Sequence, residues 1–278
     1  MAGDLVLLTG ATGFVGFATL RATLKHGYKV RAAVRSEKKA EAVRSNPTLK
    51  DFSEEHLSFV VVPDFLVDGA FDEAVKDVKY IIHVASPIPK SELTGDDDLD
   101  AELVQPAIQG TISVFKSAQK ARTVKRIVVT SSGVALIPIS AFSGSDEVFG
   151  PDHRGEALPS PYMKNTQVAY VVSKVLALKH AEDFIASEEP AFDAIHIHPA
   201  LVLGRDDLAL TTKALNSGSN RNALAPVLGE HKKESYPVSV VHVEDVALAH
   251  VRALDPKIAG NQSFMLSNTG EEGYSVRK

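Results

Sequence analysis

The sequence predicts an α/β fold built on a doubly wound parallel sheet. Three observations predict it. Short apolar runs alternate with longer helical patterns over the first 200 residues, a glycine-spaced loop follows the first run, and several runs are apolar almost without interruption. Continuous apolarity marks strands covered on both faces, as right-handed βαβ crossovers cover them.

In chain order the strand candidates are "LVLL" (5–8), "VRAAV" (30–34), "LSFVVV" (57–62), "YIIHVA" (80–85), "RIVVTS" (126–131) and "AIHIHPA" (194–200). Between them the apolar spacing predicts helices over about 13–26, 37–45, 69–76, 99–121 and 166–187, with Pro106 kinking the fourth. Six strands so connected take the order 3-2-1-4-5-6, with ligands at their carboxyl ends. Two regions break the alternation. Residues 133–165 are rich in Gly, Pro and Ser and show no period, and so long an irregular stretch is functional or disordered. Beyond residue 200, one short strand in "VSVVHV" and a helix near 244–254 are expected. The chain thus divides into a nucleotide-binding domain (1–200) and a small substrate-side lobe (201–278).

Composition narrows the function classes. The 278 residues carry 44% hydrophobic and 23% charged side chains, enough for one large domain or one domain with an appendage. A net charge of −5 supplies no field for nucleic acid or an anionic membrane. Cysteine is absent, which excludes disulfides, thiolate catalysis and cysteine metal sites. The N-terminal stretch has no basic region, and the run Leu5–Leu8 is too short for a signal peptide or a membrane span. A cytoplasmic protein, monomeric or homodimeric, is expected.

"LVLLTGATGFVG" places Gly10, Gly13 and Gly16 at three-residue spacing between the first strand and the first helix. A diphosphate needs a tight turn, close approach of the backbone, and helix N–H groups aimed at the charge. Glycine meets the first two needs and the helix start the third. The competing reading is a turn glycine before a tightly packed helix, but the triplet stands at the first βα turn, where a dinucleotide-binding motif belongs. The predicted architecture is therefore of Rossmann type. Strand two chooses between cofactors. It ends in "VRAAVRSEKK" with no acid to accept hydrogen bonds from a ribose, and Arg35 stands there instead. A guanidinium grips a 2′-phosphate bidentately, so NADP(H) is expected over NAD; the alternative is an arginine on a surface turn. Asp64, after strand three, is placed either against the adenine amino group or in a plain turn.

Ser132 falls at the end of strand five in "IVVTSSGVAL", and Tyr170 and Lys174 follow on the next helix in "AYVVSK". Residues i and i+4 share a helix face, so phenol and ammonium can enter one cleft. The chemistry indicated is hydride transfer coupled to proton transfer. Tyr170 would give a proton to a developing alkoxide, Lys174 would lower the phenol's pKa, and Ser132 would hydrogen-bond the carbonyl oxygen. Taken singly, each has an ordinary structural reading: a packed tyrosine, a snorkelling lysine, a turn serine.

The set "TGATGFVG", "HVASP", "VVTSS", "YVVSK" and "HPALVLG", with the late segment "SVVHVEDVALAHVRAL", resembles the extended short-chain dehydrogenase/reductases. Within them it is similar to the dihydroflavonol-reductase-like group, which includes fungal and yeast methylglyoxal or aldehyde reductases. The resemblance implies an NADPH-dependent reductase of an aldehyde or ketone, with Ser132, Tyr170 and Lys174 as its catalytic residues and Ser131 as the alternative serine. It implies Val84, Ala85 and Ser86 beside the nicotinamide and Pro199 against its amide. Phe14 and Val15 of the glycine loop and Val202 after Pro199 complete the expected cofactor-binding set, together with Tyr170 and Lys174. Two rivals within the superfamily are a sugar-nucleotide epimerase and a hydroxysteroid dehydrogenase/isomerase. A rival of another class is a non-catalytic NADP-binding redox sensor.

The chain departs from the cinnamoyl-CoA reductase branch in having no cysteine near Tyr170, and "SNTGEEGYSVRK" ends one or two helices sooner than the resemblance implies. The substrate pocket is expected from 133–165 and 205–240, with Phe142, Phe149, Tyr162 and Leu224 as apolar lining. His196 and His198 alternate on strand six without a third ligand, so they are read as packing and no metal site is expected.

Overall fold

The computed structural model describes residues 3–89, 93–143, 145–216, 218–230 and 239–268. The six predicted strands form as β1 (Leu5–Thr9), β2 (Lys29–Val34), β3 (Leu57–Val61), β4 (Tyr80–His83), β5 (Arg126–Thr130) and β6 (Asp193–Pro199). They are followed by β7 (Leu201–Leu203), β8 (Val240–His242) and β9 (Gln262–Leu266). Helices are α1 (Phe14–Lys25), α2 (Glu37–Arg44), α3 (Gln105–Ala121), α4 (Thr166–Glu188), α5 (Thr212–Leu215), α6 (Arg221–Val227) and α7 (Val243–Arg252).

The main sheet has seven parallel strands in the order β3-β2-β1-β4-β5-β6-β9, and β7 pairs with β8 in a separate parallel pair. The predicted order is thus found with one strand added. β9 is short and only half buried, so its sequence lacks the apolar continuity of the inner strands. It joins the main sheet from within the segment read as the small lobe.

Alternate side chains on each inner strand feed opposite layers, as the two-residue pleat requires. Val6, Leu8, Ile82 and Val128 pack toward α1 and α7, while Leu7, Ile81, Ile127 and Val129 pack toward α3 and α4. Phe115 on α3 meets Phe184 on α4 and Phe192 before β6 edge-on, at ring-centroid distances of 5.6 and 5.7 Å.

Two predicted helices differ. Residues 69–76 form successive turns instead of a helix. Gly69 has φ +73°, and the backbone bonds mix three- and four-residue closures (Asp72 N–H to Gly69 O, Val75 N–H to Phe71 O). Phe71, Ala74 and Val75 are still buried, which explains why the apolar spacing looked helical. The helix expected over 99–121 begins as a π-helical turn, Asp100–Val104, and becomes α-helical at Gln105. Pro106 stands at the start of the α part, where its missing N–H costs little, and what the structure shows beside it is this change of helix type.

Arg126 fastens the far end of the sheet. It is 5% exposed and lies bidentate on Asp193 at 2.6 and 2.9 Å. Its remaining donors reach the carbonyls of Ala253, Asp255 and Ile258, each at 2.8 Å. All five guanidinium N–H groups are used, which is how an arginine tolerates burial.

Candidate active site

At the carboxyl end of β1 the chain turns on Gly10, whose φ of +83° favours glycine. A Cβ on Gly10 would stand 2.8 Å from the backbone nitrogen of Ala85, and one on Gly16 would stand 2.0 Å from the Gly10 carbonyl oxygen. These two glycines are required by the protein's own packing. Gly13 is different: a Cβ there would meet only the Gly10 oxygen, at an ordinary 3.6 Å. Gly13 is exposed, it makes no side-chain cap, and the first turn of α1 holds no acid. The first N–H groups of α1 are therefore open to an anion, and the cradle a Cβ would fill is free. Phe14 and Val15 anchor this turn by packing on the core.

Beside the loop, Thr9 and His83 are register partners across β1 and β4. Their side chains hydrogen-bond at 2.9 Å, and the Ala85 N–H donates to Thr9 Oγ1 at 3.1 Å. Val84, Ala85 and Ser86 therefore run past the glycine turn in a fixed position. Neither Thr9 nor His83 was singled out from sequence; the signal for both was a polar residue at the last position of a buried strand.

Arg35 is exposed just after β2, and its guanidinium stacks over the Phe65 ring, 5.8 Å from the centroid. Among the described residues it has no ion-pair partner, so its charge is available to a phosphate. Asp64 is occupied in its own turn, where Oδ1 accepts from the Leu66 N–H at 2.9 Å. This is the turn reading of that residue.

Helix α4 starts at Asn165, whose side chain accepts from the N–H groups of Gln167 and Val168. One turn later Tyr170 and Lys174 lie on the same face, with Lys174 Nζ 5.5 Å from the Tyr170 ring centroid. Lys174 is buried and donates to Ser86 Oγ at 2.7 Å, which joins α4 to the end of β4. Burial without an acidic partner pushes the ammonium down to about 8. Tyr170 keeps a partly exposed side; burial raises its phenol above the usual value, while a hydrogen bond with Ser132 works the other way. Ser132 begins the short turn after β5 and also accepts from the Val134 N–H at 3.4 Å. Ser132, Tyr170, Lys174 and Ser86 are therefore brought together. Ser131 lies on the Lys174 side, near His83 and His196.

Pro199 is buried at the end of β6, and Val202 is in the core beside α7. His198 donates from Nδ1 to the Ser132 carbonyl at 3.2 Å, and its Nε2 is hydrogen-bonded with Ser263 Oγ at 3.0 Å, so both ring nitrogens are used within the fold. No cluster of metal-binding side chains occurs among the described residues. Among them, too, no helix is long and apolar enough to cross a membrane.

The expected substrate lining is only partly assembled. A cavity of about 520 Å³ lies between Asn46–Thr48 and a set from the later segment that includes Leu203, Leu210, Asn220 and Leu224, with none of the described residues of 133–165 in its lining. Tyr162 is a structural anchor: it is 4% exposed, packs on Leu99 and Leu103, and donates to Asp100 Oδ1. Phe142 is exposed, and Phe149 meets the His153 ring edge-on.

Comparison with known proteins agrees with this geometry. Residues 6–265 match the NAD dependent epimerase/dehydratase family. The ketoreductase CTB6 of Cercospora nicotianae is 42% identical over 280 residues, spanning 98% of this chain and 77% of that protein. Yeast methylglyoxal/isovaleraldehyde reductase Gre2, solved with NADPH, superposes with a TM-score of 0.81 at 26% identity, covering 95% of this chain and 78% of its own. Vestitone reductase from alfalfa gives 0.71 at 26% identity, over 95% of this chain and 76% of its own. The glycine turn, the sheet order and these matches agree, and the chain belongs to the NAD dependent epimerase/dehydratase family.

Proposed function

We propose that this protein is an NADP(H)-dependent reductase of a small aldehyde or ketone. The observation that carries the reading is the convergence of Ser132, Tyr170 and Lys174 beside a glycine turn whose Gly13 position is free. A ketoreductase at 42% identity and an NADPH-bound reductase of the same fold support it. Arg35 without an acidic neighbour at the end of β2 supports the phosphorylated cofactor over NAD and weighs against an NAD-retaining epimerase.

When bound, the nicotinamide supplies a hydride to the carbonyl carbon. The chain's own groups handle the oxygen. Tyr170 is protonated at neutral pH, because burial raises its phenol, and so it can donate a proton to the oxygen as negative charge builds there. Ser132 donates a hydrogen bond to the same oxygen and stabilises that charge. The Lys174 ammonium favours the phenolate left behind, and Ser86 holds the lysine in place. In the oxidative direction the same groups act in reverse.

The test follows NADPH oxidation by the purified protein against aldehydes, diketones and aryl ketones, with Tyr170→Phe as the blank. Turnover in the wild type and a loss of about 100-fold or more in the variant are expected, with NADPH binding retained. Near-normal turnover by the phenylalanine variant would remove Tyr170 from the mechanism.

A further inference from the structure

Lys174 also borders a second, smaller space. A cavity of about 10 Å³ is lined by Lys174, Ser86, His83, Thr111, Ser131 and His196, with Thr130, whose hydroxyl is taken by His250, and apolar side chains completing its wall. That volume is at the lower limit for a single water molecule, and polar groups from β4, β6, α3 and α4 surround it. Lys174 has three N–H donors, and the Ser86 hydroxyl takes one of them. His196 stands on β6, 4% exposed, and its Nδ1 is buried without a hydrogen-bond partner. A histidine with an orphaned ring nitrogen and a lysine with spare donors thus line one cavity. Both are costly unless something joins them.

We propose that His196 is a positioning residue, which fixes the Lys174 ammonium through one water molecule held in this cavity. The inference rests on the role given to Lys174 above. The groups around the lysine suit it. Tyr170 flanks it on α4, His83 faces it from β4, and His196 faces it from β6. Arg154, paired with Glu182 through Nη2 and Oε1 at 2.6 Å, is the charged group that acts on His196 from outside the cavity. His83 and His196 are both held down to about 4, chiefly by burial, so near neutral pH each offers a lone pair instead of a competing charge. The water accepts from the ammonium and donates to the imidazole, which favours the charged lysine and opposes the downward pull of burial.

A crystal structure resolving ordered water gives the direct test. One water within hydrogen-bonding distance of Lys174 Nζ and a His196 ring nitrogen is expected, and a dry cavity overturns the proposal. The second test compares pH profiles. In His196→Leu the high-pH limb of kcat should move down by about one pH unit, and His196→Gln should restore it. A merely structural histidine would lower Tm in the leucine variant without moving the limb, and that result overturns the proposal. Lys174→Met separates this inference from the reading beneath it. If that variant keeps turnover, the proposed function of Lys174 fails. If it is inactive while His196→Leu keeps the wild-type limb, only the present inference fails. Should the leucine variant not fold, the water position in the wild-type crystal decides alone.

Discussion

The turn after β1 and the segment after β7 hold their backbones in opposite ways. In the turn, carbonyl and amide atoms of Gly10, Gly16 and Ala85 approach so closely that two of the three glycines admit no side chain. Among the described residues from 203 to 230 a few side chains do the holding. Asn220 brackets Gly204 with bonds of 3.1 and 2.8 Å, Asn46 reaches the Asp207 carbonyl at 2.9 Å, and Arg21 pairs with Asp207. Some of its apolar side chains face outward, with Leu210 81% and Val227 80% exposed. The first region is set by packing shared with the sheet, and the second by separate polar ties that leave its surface free to vary.

The comparison breaks most sharply at the glycines. Gly16→Ala places a methyl 2.0 Å from a backbone oxygen and should cost about 3 kcal/mol or more, read as a lost or much-lowered urea midpoint. Gly13→Ala should leave that midpoint almost unchanged and weaken NADPH binding at least about tenfold by titration, since its methyl makes only an ordinary 3.6 Å contact with the Gly10 oxygen and otherwise fills the space proposed for the diphosphate. If the two alanines behaved alike, the division between packing glycine and ligand glycine would be wrong.

Acid sharpens it next. His83, His196, His198 and His250 line the sheet and α7, and burial holds each down to about 4 against an ordinary value of 6.5. The unfolded chain binds protons at these sites below about pH 6.5, while the folded chain resists them until about 4. Stability is thus intact above pH 6.5 and falls as pH drops through that window, by up to about 1.4 kcal/mol per unit for each histidine. Urea midpoints between pH 7.5 and 4.5 should drop steeply, and a flat series would contradict the neutral burial of these rings. The smallest effect belongs to the outer segment: Val227→Ser should change stability by less than about 0.5 kcal/mol in the same assay.

What was legible in the sequence follows the same line. The inner strands show as apolar runs because two helical layers cover them, and Tyr170 and Lys174 show because helix geometry fixes their spacing. β9 escaped because an edge strand half open to solvent has no continuous apolar signature. The turns at 69–76 imitated a helix because Phe71, Ala74 and Val75 must still reach the core. Tyr162 was misjudged because an aromatic in a loop gives no sign of its hydroxyl partner, Asp100, which lies 62 residues earlier in the chain. In sequence His196 offers only a packing role, because the residues that line the small cavity with it come from other strands and helices.

Arg126 gives the molecule a clock. Its carbonyl partners lie 127 to 132 residues further along the chain. At about 5–20 residues per second, a ribosome makes them roughly 6–25 s after the arginine itself. For the first 67 residues of that interval none of the arginine's five bonds can form; once Asp193 is made two can, and β6 can dock beside β5 before the last three carbonyls and β9 exist to close the edge.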